Sequence, residues 1–194
     1  MKNIAVLILA AGKSSRMGFT KQLLKVGTKT LLERAIEAGK KSKATTLFCV
    51  LGANLDEIKN EISTENIEFI INKNYEKGLS SSIVTGINFI EKSQNNFDAV
   101  LITLADQPKV DSTYLNQLIE TFNSNSGKII ASKYDDKIGV PAIFPKIFFK
   151  KLVLLEGDKG AKNLLNSKLE NILAVVSDKL LDIDTKEDYK NYIN

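Results

Sequence analysis

Apolar runs recur along the chain at residues 4 to 10, 45 to 51, 67 to 71, 98 to 104, 128 to 133 and 172 to 176. The first, IAVLILA, is continuously hydrophobic, the pattern of a strand covered on both faces of a parallel sheet. Segments of helical period lie between the runs. Residues 30 to 43 carry Leu31, Leu32, Ala35 and Ile36, and residues 80 to 93 carry Ile83, Val84, Ile87 and Ile90. Residues 112 to 124 set Leu115, Leu118, Ile119 and Phe122 at i, i+3, i+4 and i+7, one face of a helix. A further helix is expected at 54 to 64 and another at the carboxyl end. Strand and helix alternating in this way predict an α/β fold with a mostly parallel sheet, whose ligands bind at the carboxyl ends of the strands. After about residue 134 the rhythm loosens, and YDDKIGVPAIFPKIF reads as an elaboration of the same domain.

Composition narrows the chemistry. The 194 residues are 43% hydrophobic and 26% charged, ordinary for a soluble domain long enough to bury a core. No apolar stretch is long enough to cross a bilayer, and the Met-Lys-Asn start lacks a secretory h-region, so a cytoplasmic location is expected with no membrane partner. The single cysteine, Cys49, lies in the apolar run TLFCVLG and reads as a core residue. There is no histidine, which removes Ser-His-Asp and Cys-His catalysis and histidine-bound zinc. Chemistry must run on carboxylates, lysine, arginine, hydroxyls and backbone amides. The net charge of +4 comes from dispersed lysines without an aromatic-interleaved basic block, so no nucleic-acid partner is inferred and small anions remain plausible.

The first strand empties into GKSSRMG. Small residues let amides approach an anion, and a helix is expected to follow, which suits phosphate. It is neither a Walker A loop, because Leu7 stands where its first glycine belongs, nor a dinucleotide fingerprint, because no glycine lies between Gly12 and Gly18. Such a loop can also be simply a turn.

LAAGKSSRMGFTKQLL resembles the signature loop of the MobA-like nucleotidyltransferases, L-A-[AG]-G-x-[SG]-x-R-M-G followed by K-x-L. Further matches run in the family's order: GLSSSI at 78 to 83, LADQP at 104 to 108, GVPAIF at 139 to 144, GDKGA at 157 to 161 and DIDT at 182 to 185. The alanine of LAAG and the serine run look like the molybdopterin (molybdenum cofactor) cytidylyltransferase branch.

The resemblance implies a single domain over residues 1–194. Its fold would be the three-layer α/β/α, Rossmann-like nucleotide-diphospho-sugar transferase fold, with a nucleotide-binding half to about residue 110 and an acceptor-binding half beyond. The activity implied is Mg2+-dependent transfer of CMP from CTP to molybdopterin, a pterin-type phosphate, with release of pyrophosphate. Guanylyl transfer, another phosphorylated acceptor, or a non-catalytic nucleotide-binding assembly protein are the alternatives, and a molybdoenzyme or chaperone could be a delivery partner.

Residue roles follow from the same resemblance. Leu9, Ala10, Ala11, Gly12, Ser14 and Ser15 would line the nucleotide, the amides from Ala11 to Ser15 cradling the outer phosphates. Arg16 would fork onto the triphosphate and Lys21 would offset charge at the α-phosphate. Gly78, Ser80, Ser81 and Ser82 would read the base or ribose, although a serine there could instead cap a helix. Asp106 would hold Mg2+, with Asp184 as the second ligand and Asp182 as its substitute. Asp106 alone reads as a turn residue, Arg16 as a surface cation, and Asp184 or Thr185 followed by Glu187 and Asp188 as a helix N-cap. Val84, Val140 and Lys162 depart from the family's usual arginine, histidine and arginine, which puts the acceptor in question. No side-chain base is strictly required: the nucleophile is already an anion, and positioning with charge neutralisation carries such transfers.

Overall fold

The strand expected from the first apolar run, β1 (Ile4–Leu9), is wholly buried on both faces, and the rest of the sheet is laid down around it. The structure is a computed structural model describing residues 2–62, 67–134, 137–167 and 171–193. Among the described residues the other strands are β2 (Lys25–Val26), β3 (Lys29–Thr30), β4 (Thr46–Leu51), β5 (Glu68–Ile71), β6 (Ala99–Leu104), β7 (Ile129–Tyr134), β8 (Lys137–Pro145) and β9 (Ile172–Val176). The helices are α1 (Leu31–Lys40), α2 (Leu55–Glu61), α3 (Leu79–Lys92), α4 (Ser112–Ser124), α5 (Phe149–Leu152), α6 (Lys162–Leu165) and α7 (Lys186–Ile193). Residues 63 and 64, the expected end of the second helix, lie outside the described residues.

The main sheet has seven strands in the order β5-β4-β1-β6-β8-β7-β9, and only β8 runs antiparallel to its neighbours. It is the α/β, mostly parallel arrangement that the alternation predicted. Alternate β1 side chains feed two cores. Val6 and Ile8 pack with Leu32 and Ile36 of α1, Ile58 of α2 and Leu115, Leu118 and Phe122 of α4. Leu7 faces the other way, with Ile83, Ile87 and Ile90 of α3 and Phe149 and Leu152 of α5. The sheet is thus sandwiched between helical layers, each face removing large aliphatic and aromatic side chains from water.

β8 was not legible as a strand, because Pro141 interrupts its apolar run. Pro141 sits where the β7–β8 register shifts, between the pairs Ala131↔Ala142 and Ser132↔Gly139. A bulge leaves a residue outside the ladder, so a residue with no N–H is tolerated there even between two strands.

Two features position the site. The chain builds β4 and β5 on one side of β1 and then crosses to β6 on the other, so the carboxyl ends of β1 and β6 flank a topological switch point. A third apolar cluster, Met17, Leu31 and Ile183 with Tyr189 and Tyr192, ties α7 to the loop after β1. That cluster brings the end of the chain to the same place.

Candidate active site

At the switch point lies a cavity of about 540 Å³ whose lining includes Leu9 to Lys13, Arg16, Lys21, Gln22, Gly78, Leu79, Ser82, Leu104 to Asp106, Asp158, Asp182 and Asp184. Five stretches far apart in sequence therefore converge.

The loop after β1 leads to α1 through a 3-10 turn and the β2–β3 hairpin. A left-handed Ser14 (φ 56°) starts a turn in which the amides of Met17 and Gly18 donate to the Ser14 carbonyl, and a short 3-10 turn at Lys21–Leu23 follows. The candidate anion cradle is thus a set of loop amides and not a helix N-terminus. Gln22 holds it in shape: its buried Nε2 donates to the carbonyls of Ala10 at 2.8 Å and Gly12 at 3.0 Å, while its Oε1 accepts from Ser14 Oγ at 3.1 Å. Nothing in sequence distinguishes a buried amide such as Gln22 from an exposed one, and its part in the site was not foreseen. Among the described residues no acceptor in the protein takes the amides of Ala11, Gly12, Lys13 and Ser15. A Cβ built on Gly12 would meet no protein atom within 4 Å, so protein packing does not require this glycine. Gly12 is also one of the residues that line the cavity.

The cavity floor carries the charge. Lys21 Nζ donates to Asp106 Oδ2 at 2.5 Å and to Asp184 Oδ1 at 2.9 Å. Arg16 Nη2 reaches Asp184 Oδ2 at 3.3 Å from a largely exposed position. Burial pulls the Lys21 ammonium pKa down, but the Asp106 and Asp184 carboxylates outweigh it and hold the value above that of an ordinary lysine. Asp182 shifts the opposite way to most carboxylates: burial raises it, the neighbouring Asp106 and Asp184 charges raise it further, and the hydrogen bond from Gln107 Nε2 opposes both.

The two acidic segments are stitched together by the Ile183 amide donating to the Asp106 carbonyl at 3.0 Å. The helix-cap alternative resolves in favour of Thr185. Its Oγ1 accepts from the Asp188 amide at 3.1 Å, and Asp188 Oδ2 accepts from the amides of Asp184 and Thr185. The Asp184 carboxylate is left to face Lys21 and Arg16.

The donors present suit a hard divalent cation. Asp106 Oδ1 is buried without a hydrogen-bond partner while Oδ2 of the same carboxylate holds Lys21, which leaves one acceptor of the charged cluster unfilled. Among the described residues no group of three or more His, Cys, Asp or Glu side chains could hold a metal unaided. A hard divalent ion held by one or two carboxylates would complete its shell with water and substrate phosphates.

At the start of α3, Gly78 has φ 91°, and a Cβ there would lie 2.2 Å from Asp158 Oδ1 and 2.7 Å from the Gly157 backbone. Only glycine permits this approach of the 157–158 loop. Of the expected serines, Ser82 lines the cavity and the others do not. Ser80 is fully buried, its Oγ donating to the Glu156 carbonyl, and Ser81 Oγ donates to the Gly78 carbonyl. Ser14 is occupied within the loop by Gln22 and the Lys21 amide, and Ser15 is exposed away from the cavity wall.

A second cavity of about 170 Å³ shares Leu9, Leu79 and Leu104 with the first and adds Tyr134, Lys137, Val140, Lys159 and Lys162. Val140 and Lys162 thus meet in one place, whereas Val84 lies in a separate groove with Ser81 and Leu154.

Residues 6–172 match the model of the MobA-like NTP transferase domain. The chain belongs to this family. It is 29% identical over 147 residues to the bifunctional protein GlmU of Buchnera aphidicola, an alignment covering 75% of this chain and 31% of that protein. The chain spans about a third of the length of the curated relatives it matches. Among solved structures, Rv0371c of Mycobacterium tuberculosis H37Rv superposes with a TM-score of 0.86 at 25% identity, over 99% of this chain and 98% of that one. The same mycobacterial protein in complex with manganese gives 0.82 at 24% identity, over 98% of each chain. Among the described residues no helix is long and apolar enough to cross a membrane.

Proposed function

We propose that this member of the MobA-like family is a Mg2+-dependent cytidylyltransferase that moves CMP from CTP to a phosphomonoester acceptor, molybdopterin, and releases pyrophosphate. The observation that carries the reading is the Asp106–Lys21–Asp184 cluster on the floor of a cavity whose rim is a loop of unengaged amides. One acceptor phosphate oxygen forms a new bond to the α-phosphorus of CTP, and the bond to the β-phosphate oxygen breaks as pyrophosphate leaves. Asp106 and Asp184 would hold the magnesium ion, which when bound neutralises phosphate oxygens and polarises the phosphorus under attack. The manganese complex of the mycobacterial relative favours a divalent ion in this fold.

The chain's own groups do the remainder. The free amides of Ala11 to Ser15 bind the outer phosphates, Arg16 forks onto them from the rim, and Lys21 stabilises charge that grows at the α-phosphate. A preorganised cation of this kind contributes about 3 kcal/mol, roughly a hundredfold in rate. Ser82 is the serine available to the nucleoside. The second cavity, apolar at its base with Lys137, Lys159 and Lys162 at its edge, supports an acceptor wall in the second half of the chain. A molybdoenzyme or its chaperone would then receive the product.

The test is pyrophosphate release from each of the four nucleoside triphosphates, with and without molybdopterin, for the wild type and Asp106→Ala. The reading expects CTP with molybdopterin to be the productive pair and the variant to be inert yet folded. Undiminished release by Asp106→Ala removes the metal role, and a preference for GTP removes the base assignment.

A further inference from the structure

Asn72, at the carboxyl end of β5, is almost fully buried, and its orientation is fixed by a donor that cannot be ambiguous. The backbone amide of Asn74 donates to Asn72 Oδ1 at 2.9 Å, an Asx turn, so the Nδ2 end must face α3. There Nδ2 donates to Ser81 Oγ at 2.9 Å and to Ser82 Oγ at 3.0 Å. Each serine therefore receives a hydrogen bond at its oxygen and must send its own hydrogen elsewhere. Ser81 sends it to the Gly78 carbonyl at 2.7 Å. Ser82 has no protein acceptor for its hydrogen among the described residues, and Ser82 is the serine that lines the large cavity.

We propose that Asn72 is a positioning residue for base recognition: by donating to Ser82 Oγ, it turns the Ser82 hydroxyl hydrogen into the cavity to meet an acceptor on the nucleobase, the N3 lone pair of cytosine. A hydroxyl left to itself can donate or accept and so reads nothing. One that already accepts from a buried amide, and whose hydrogen has no acceptor among the described residues, pairs that hydrogen only by presenting it to a ligand. Cytosine offers N3 as an acceptor, whereas uracil carries a hydrogen there and could meet the second Ser82 lone pair only with the Ser82 hydrogen turned away and left unpaired. Rejecting the wrong partner by leaving a polar group unpaired is the strong form of discrimination. This contact presupposes the cytidine reading of the cavity.

The test is the ratio of CTP to UTP affinity, measured by calorimetry with Mg2+ on the full chain, for the wild type, Asn72→Asp, Asn72→Ala, Ser82→Ala and the double variant Asn72→Ala/Ser82→Ala. The wild type is expected to prefer CTP by about tenfold or more, as one well-made hydrogen bond against one unmade allows. Both Asn72 variants and Ser82→Ala should abolish that preference, and the double variant should match Ser82→Ala, since the residues act as one unit. A merely structural role for Asn72 would weaken CTP and UTP equally and leave the ratio alone; that outcome overturns the proposal. So does a ratio unchanged in Ser82→Ala, which decides the matter even if neither Asn72 variant folds. A wild type with no preference for CTP over UTP sinks the cytidine reading itself and the proposal with it.

Discussion

Removing the Lys21 ammonium (Lys21→Ala) tests how the site holds its charge before any substrate arrives. The side chains of Lys21 and Asp106 are only 15% and 17% exposed, while Asp184 is 40% exposed. Breaking a fully buried pair costs about 3–5 kcal/mol, whereas an exposed one contributes about 1 or less. With one carboxylate buried and one half in water, the loss should be about 2 kcal/mol, a fall in Tm of roughly 4–8 °C for a chain of this size. Above the acid range in which carboxylates protonate, the contribution is fully present below the unfolded lysine value of about 10.4 and fades as pH rises through the raised folded value. The deficit should therefore be the same at pH 7 and pH 9. The variant has a second property. Asp106, Asp182 and Asp184 face one another without their cation, so Mg2+ should raise the Tm of Lys21→Ala more than that of the wild type, by mass action on a site where lysine no longer competes. Thermal unfolding followed by circular dichroism, with and without Mg2+, reads both effects. A Tm within about 1 °C of the wild type, against the fall expected from losing a half-buried pair, would refute the assignment of Lys21 as the cluster's counter-charge. An equal Mg2+ shift in both proteins would refute the competition.

Three further outcomes follow from single positions. Gly12→Ala should leave Tm unchanged, because its methyl group meets no protein atom within 4 Å, yet calorimetry should find CTP binding weakened about tenfold or more as the methyl group intrudes on the phosphates. Gly78→Ala should behave oppositely: at φ 91° and with Asp158 and Gly157 in the way, it should cost about 2–4 kcal/mol and lower Tm by several degrees. Cys49 is buried in β4, and burial pushes its thiol pKa well up, so a thiol reagent such as DTNB should leave the native protein unlabelled at neutral pH and react fully in denaturant. Labelling of native protein would contradict its core position.

What could be read from the sequence was whatever period and local chemistry encode. β1, β4, β6, α3 and α4 announce themselves because runs such as IAVLIL and the Leu115–Phe122 stripe have a single solution in burial. β8 did not, because Pro141 argues against a central strand unless the bulge beside it is known, and bulges arise from the partner strand. The floor of the site was partly legible: Asp106 and Asp184 lie 78 positions apart, and the segments that carry them meet through tertiary links, with Ile183 pairing with the Asp106 backbone and packing on Met17 and Leu31, and Gln107 donating to Asp182. Gln22 and Asn72 were invisible for a different reason. Their importance lies in being buried and bonded on both ends of the amide, and composition carries no trace of that. The serine run shows the same limit, since the motif offered Ser80, Ser81 and Ser82 alike and the turn of α3 brings only Ser82 to the large cavity.

The most direct measurement of the central claim is a crystal structure with CTP and Mn2+, located by the anomalous signal of the metal. The account predicts manganese between Asp106 and Asp184, the outer phosphates on the amides of Ala11 to Ser15, and Lys21 swung from its carboxylates towards the α-phosphate. Metal density away from Asp106, or a triphosphate that does not touch the loop after β1, would contradict it.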